Sequence, residues 1–216
     1  ECLMPLVVEY SRSCPEVTLD LSLARQRPHL IDDNIDVVIN LSRSLPDSDS
    51  VGQHLGSFFS VACASPQYLT RCGTPLTPSD LAHHTCLRLT DSMSPDSWVF
   101  EGSEGEMVID PGETFKVDLS QALAFSAAAG MGICLLPSYV ASKLLREGSL
   151  IRVLPQYRIH ERSVFATYSS RRYLDAKIKT WVELLKAHLP KIFESHLSIV
   201  DSPKYWVDGQ RQTPLE

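Results

Sequence analysis

The amino-acid sequence predicts an α/β fold. Apolar runs of strand length alternate with segments of helical period over nearly all of the 216 residues. The helical segments are bracketed by chemistry that starts and stops helices: Ser65-Pro66 before one and Gly73 after it, with Gly130 and Gly148 after others. Strands that alternate with helices call for crossover connections, and so for mostly parallel sheets covered on both faces.

The elements follow in order. Leu3, Leu6, Val7, Tyr10 and Cys14 recur at helical spacing, with Pro5 tolerable in a first turn and Pro15 as the stop. Val17, Leu19, Leu21 and Leu23 alternate with Thr18, Asp20 and Ser22, the pattern of a half-buried strand. Residues 28–34 read as a short helix, 36–40 as a buried strand and 42–50 as a polar loop. Residues 58–64 are an apolar strand ending at Ser65-Pro66, a good N-cap and a good first helical residue; the helix to Cys72 closes on Gly73. Residues 78–84 give a second short helix and 86–89 a strand. Residues 98–100 and 107–109 form a hairpin around 102–105, and residues 115–117 a strand running into Asp118. Helix 120–129 turns through Gly130-Met131-Gly132 into strand 133–136, then helix 137–147 and strand 150–154. After strand 164–168, Leu174, Ile178, Trp181, Val182, Leu185 and Leu189 mark one long amphipathic helix. The segment beyond Pro190 shows no clear period and reads as a partly loose tail.

Composition narrows the functional classes. Hydrophobic residues make up 44% and charged residues 21%, the balance of an ordinary globular protein. The net charge of −6 argues against a surface that itself grips nucleic acid, because phosphate binding needs a clustered positive field. No apolar run reaches the roughly 18 residues that span a bilayer, and a cytoplasmic location without membrane contact is expected. The chain opens at Glu1-Cys2-Leu3 without an initiator Met and is read as a piece of a longer protein. The six cysteines show no CxxC spacing, so reduced, mostly buried thiols are expected, with no metal and no cofactor. His83-His84 is read as a helix end. No GxSxG, P-loop, HExxH or complete GxGxxG occurs, and no catalytic residue is assigned.

One run of motifs is specific. From Val61 the chain reads Val-Ala-Cys-Ala-Ser-Pro-Gln-Tyr-Leu, then Gly73, Pro75 and Pro78-Ser79-Asp80-Leu81-Ala82-His83-His84-Thr85-Cys86-Leu87. This resembles the effector-binding domain of LysR-type bacterial transcriptional regulators, which carry A-S-P-x-Y-L, P-x-x-P-x-D-L-A and H-x-C-L runs in this order. Asp36-Val37-Val38-Ile39 with Leu45-Pro46-Asp47-Ser48, Trp98-x-Phe100, Ala129-Gly130-Met131-Gly132-Ile133 through Leu136-Pro137, and Gly148-Ser149-Leu150 through Leu154-Pro155 match further family patterns over residues 1 to about 188.

The resemblance implies two Rossmann-like lobes joined by two crossover strands, like type-2 periplasmic binding proteins. Lobe I would hold residues 1–64 plus 165–195 and lobe II residues 65–164, with 196–216 a C-terminal tail outside both. The crossing strands would act as hinges near residues 62–65 and 164–168. The family's N-terminal winged helix-turn-helix and its first effector-domain strand would be absent from this chain. A small, anionic effector would bind between the lobes and control DNA binding allosterically. The domain would pair as a head-to-tail homodimer, with helix 3–14 and strand 17–23 facing helix 138–147 of the partner. The full-length protein would form tetramers and reach promoter DNA through the missing domain.

Candidate ligand contacts are Asp118, Leu119 and Ser120, where a strand meets a helix start and Asp118 is a natural N-cap, and Ser65 and Pro66, read as the same geometry at the hinge. Arg25 and Arg88 could clamp an acid, and Trp98 could wall the site, against their readings as surface or core residues. Asn40 stands where the family often has Arg, and Ala24 where it often has Ser or Thr. Cys86 occupies the context of a peroxide-sensing Cys, but position 95 is Pro95, so that disulfide is not expected. The alternative is a free-standing solute-binding protein of the same fold.

Overall fold

The computed structural model describes residues 2–23, 35–42, 50–90, 97–103, 105–112, 114–169 and 175–208. The expected helix 28–34, Arg25 with Ala24, and residues 43–49 of the polar loop lie outside them. The chain divides into two compact units: residues 1–57 with 162–194, and residues 58–161 with 195–216.

In the first unit, α1 (Met4–Ser13) starts with Pro5 in its first turn and buries Leu6 and Tyr10. Tyr10 packs edge-on against Trp181 of α5 (Ala176–Val200), and its hydroxyl donates to Lys177 O at 2.8 Å. The strand β1 (Val38–Ser42) pairs antiparallel with the second half of β9 (Arg158–Ser169). The segment 17–23 is not a strand: among the described residues it has no ladder partner, and Leu19, Leu21 and Leu23 are exposed. A period-2 pattern buries a face only where a neighbouring strand supplies hydrogen bonds.

The second unit is built on β2 (Ser50–Ala64), which enters it at Phe58. Antiparallel to β2 run β7 (Ile133–Pro137) on one side and β8 (Ile151–Val153) on the other. Beyond β7 come β3 (Cys86–Leu89) and β6 (Phe115–Val117), both parallel to it. The hairpin β4 (Trp98–Gly102) and β5 (Gly105–Ile109) attaches to the first half of β9. The sheet is therefore mixed rather than mostly parallel, because the two long strands and the hairpin run against the βα repeats.

Alternation along the strands sends side chains to both faces. Phe59, Val61, Cys63, Leu87, Cys134 and Leu136 form one core with α3 (Ser120–Ala128) and α4 (Ser138–Arg146). Ala62, Ala64, Cys86, Ile133 and Leu135 form the other with α2 (Pro66–Cys72) and the 3-10 helix Pro78–His83. Each face is worth roughly 1.5–3 kcal/mol per fully buried large apolar side chain. Gly132 is required where β7 begins: a Cβ there would collide with Thr85 O.

The divisions fall at 57/58 and 161/162 rather than near residues 62–65 and 164–168. Residues 62–64 are held by β7 and β8 inside the second unit, and residues 164–167 by β1 inside the first. The C-terminal segment differs most from expectation. α5 runs through Pro190 to Val200, and residues from Ser195 onward belong to the second unit, with Val200, Trp206 and Val207 buried. The helix continues because its apolar stripe continues, Leu185, Leu189 and Phe193 being buried at a spacing of four.

Candidate functional site

In the second unit β7, β3 and β6 are parallel, so their C-terminal ends share one edge of the sheet. Two helices start there. α3 follows β6 through Asp118 and Leu119, α4 follows β7 at Pro137, and the two pack together over the same face. Their N-cap residues are Leu119 and Pro137, neither of which makes a side-chain cap to its nine-residue helix. Asp118 is thus not the N-cap expected of it. Leu119 is exposed, and Ser120 Oγ donates to Gln121 Oε1 at 3.4 Å. Ser138, the first residue of α4, is fully buried and its Oγ has no hydrogen-bond partner. A buried hydroxyl left unpaired costs about 1–3 kcal/mol. Two helix starts with their dipoles aimed at one edge favour negative charge there.

The remaining candidates lie elsewhere. Ser60 stands opposite Pro137 and Cys63 opposite Cys134, so Ser65 emerges at the far edge of the sheet, close to Gly130. Its hydroxyl caps α2 by accepting from Tyr68 N at 3.2 Å, and Pro66 beside it is exposed. Ser65-Pro66 and Asp118–Ser120 have the same local grammar on strands of opposite direction, which separates them by the length of the sheet. Arg88 points inward, is buried, and donates from Nη1 to Gly112 O at 3.2 Å. Trp98 is core, packed beside Phe100. Asn40 belongs to the first unit and ties β1 to β9, its Nδ2 donating to Thr167 Oγ1 at 2.6 Å. Arg25 lies outside the described residues. Asp118, Leu119 and Ser120 thus lie at the start of α3, and Ser138 lies at the start of α4 on the same edge of the sheet. The signal for Ser138 was present: Leu136-Pro137-Ser138 is a strand end running into an amphipathic helix.

The buried thiols of Cys63 and Cys86 are quiet. Burial pushes Cys86 up to about 12 and Cys63 up to about 12, the latter against the pull of the Arg152 guanidinium. Such groups present almost no thiolate. At the far edge Tyr68 Oη accepts from Thr85 N at 2.9 Å and lies 3.2 Å from His84 Nδ1. Burial holds His84 below its ordinary 6.5, with Asp80 pulling the other way and His83 adding to the depression. Among the described residues no group of three or more His, Cys, Asp or Glu is placed to hold a metal ion, and no helix is long and apolar enough to cross a membrane.

Residues 1–190 match the family model of the LysR substrate binding domain. The chain is 32% identical over 185 residues to the uncharacterized HTH-type transcriptional regulator YhjC of Escherichia coli (strain K12), covering 85% of this chain and 62% of that protein. The regulatory domain of CrgA, a LysR-type transcriptional regulator from Neisseria meningitidis, aligns with a TM-score of 0.73 at 25% identity, over 87% of this chain and 91% of that one. Full-length AphB, a virulence activator of Vibrio cholerae, aligns with a TM-score of 0.77 at 21% identity, over 87% of this chain and 63% of that one, a likeness of fold alone. The fold is that of these regulatory domains, type-2 periplasmic-binding-protein-like. The chain spans about three-fifths of the length of the curated relatives it matches.

Proposed function

We propose that this chain, which belongs to the LysR substrate-binding domain family, is the effector-sensing part of an HTH-type transcriptional regulator and receives a small anionic molecule at the α3/α4 edge of its second unit. The observation that carries the site is the pair of helix starts whose N-cap residues, Leu119 and Pro137, supply no side-chain cap, with the buried, unpartnered hydroxyl of Ser138 at the second of them. An acid or oxyanion there would accept from backbone N–H groups and from Ser138 Oγ, with Ser120 at the rim. The family match and the HTH-type names of the relatives support a regulator over a free-standing solute-binding protein, and the extra length of those relatives leaves room for a DNA-binding part. Effector binding would reach DNA as a coupling free energy, typically 1–3 kcal/mol. A cytoplasmic location belongs to the same reading.

A homodimer through this chain is the accompanying proposal. α4 buries Val140, Ala141 and Leu145 in its own unit, whereas α3 exposes Phe125 at 77% and α1 exposes Met4 and Val8. Exposed apolar residues on α1 and α3 support these two helices, rather than α1 and α4, as the paired surfaces. Sedimentation as a monomer alone at high concentration would overturn this.

The effector reading is tested by thermal shift with a panel of small carboxylic acids, sulfate and phosphate. At least one anion should raise Tm in a concentration-dependent way, and Ser138→Ala should weaken that response about tenfold. A panel without any shift rules out an anionic effector.

A further inference from the structure

The chain beyond Glu194 belongs to the second unit and lies past the residues that match the family model. Its attachment is built around one buried cation. Arg152 on β8 is 1% exposed and donates from Nη1 to Val200 O at 2.7 Å and Asp201 Oδ1 at 2.8 Å, and from Nη2 to Pro155 O at 3.0 Å. Its guanidinium lies 5.6 Å from the centre of the Phe59 ring and 5.8 Å from that of Trp206. The chain then folds back along β8. Trp206 bridges Arg152 in parallel, Val207 N donates to Arg152 O at 3.0 Å, and Trp206 Nε1 donates to Val200 O at 3.0 Å. One turn earlier, His196 Nδ1 and Ser142 Oγ share a hydrogen bond of 2.7 Å, which ties the same segment to the middle of α4.

A buried guanidinium is tolerated only where it is paired and hydrogen-bonded. Among the described residues, two of the three acceptors that hold Arg152, Val200 O and Asp201 Oδ1, belong to the C-terminal segment, and the third is Pro155 O. The cation and the segment therefore depend on each other. Ser142 stands four residues after Ser138 on one face of α4, so the tie to His196 bears on the helix whose first residue carries the unpartnered hydroxyl.

We propose that residues 195–208 are a clasp on the second unit, anchored at Arg152 and Asp201, that positions α4 and with it Ser138. Release of the clasp loosens the α4 start and weakens the effector edge; this last step rests on the function proposed above, and the clasp itself does not. Asp201 and His196 act as positioning residues.

The test is amide hydrogen exchange on the whole chain and on Asp201→Asn and Ser142→Ala, without ligand. Asp201→Asn should speed exchange at residues 205–207 and in α4 by about tenfold while α3 keeps its protection. Ser142→Ala, which leaves Arg152 untouched, should speed exchange in α4 alone. Unchanged exchange in α4 in both variants overturns the clasp, as does an equal rise over the whole second unit. Anion titration of the same variants separates the two readings: a loosened α4 with undiminished anion response leaves the clasp standing and removes the α3/α4 edge as the effector site.

Discussion

Two short segments that belong to neither a long helix nor a named strand, one near each end of the chain, meet opposite fates. Residues 17–23 carry Leu19, Leu21 and Leu23 at alternate positions, yet Leu23 is 92% exposed. Residues 201–207 carry no alternation at all, yet Trp206 is 3% exposed and Val207 8%. The second segment has a strand to lie on, β8, and a buried cation that needs its carbonyl and carboxylate. The first has no ladder partner among the described residues. Apolar content decides which face of a strand is buried; a neighbouring backbone decides whether there is a strand.

The comparison can be broken from either side. The largest effect should come from the C-terminal segment: Trp206→Ala removes a buried ring from over Arg152 and should cost about 3–5 kcal/mol, lowering Tm by about 10 °C in calorimetry. A mild loss would show that the segment packs without holding. A second effect lies in the same unit but away from the clasp. His84 is held below its ordinary 6.5 chiefly by burial. The unfolded chain therefore takes up the proton first, so the stability that neutral His84 contributes is whole above about pH 6.5 and is lost as pH falls through the depressed folded value. Denaturant midpoints between pH 8 and pH 5 should show this fall, and His84→Gln should flatten it. The smallest effect belongs to the N-terminal segment. Leu23→Ser should change stability by no more than about 0.5 kcal/mol. A larger loss would mean that residues 17–23 are buried against something in solution, a second copy included.

Much of the molecule was legible from local pattern. The hairpin around 102–105, the α2 cap at Ser65, the stop at Gly73 and the run from β6 into α3 stand close to where the residue chemistry put them. So did the placement of Asp118–Ser120 at a helix start, although Leu119 and not Asp118 takes the N-cap. The site was less legible because its geometry depends on strand direction. Ser65 and Ser120 look alike in sequence, and only the antiparallel register of β2 against β7 sends them to opposite edges. Arg88 sits on a strand whose both faces are covered, so alternation could not say which side faced outward, whereas Trp98 lies with Phe100 on the covered face of β4. Ser138 was overlooked although Pro137-Ser138 repeats the strand-to-helix grammar, since nothing local reveals that a hydroxyl will be buried unpaired. The C-terminal stripe Leu185, Leu189 and Phe193 was readable through Pro190, whose missing N–H invited an early end to the helix.

By itself the sequence determined the α/β class, the alternation of elements, most helix starts and stops, and the family through its ordered motifs. These depend on periods and caps that act over a few residues. Only the tertiary structure decided that residues 17–23 find no strand partner among the described residues, that Ser65 and Ser120 part company, and that residues 201–207 close over β8. Those outcomes rest on contacts distant in sequence, such as Arg152 to Val200 across 48 positions, where a hydrogen bond or a buried charge is satisfied by residues that no local pattern links.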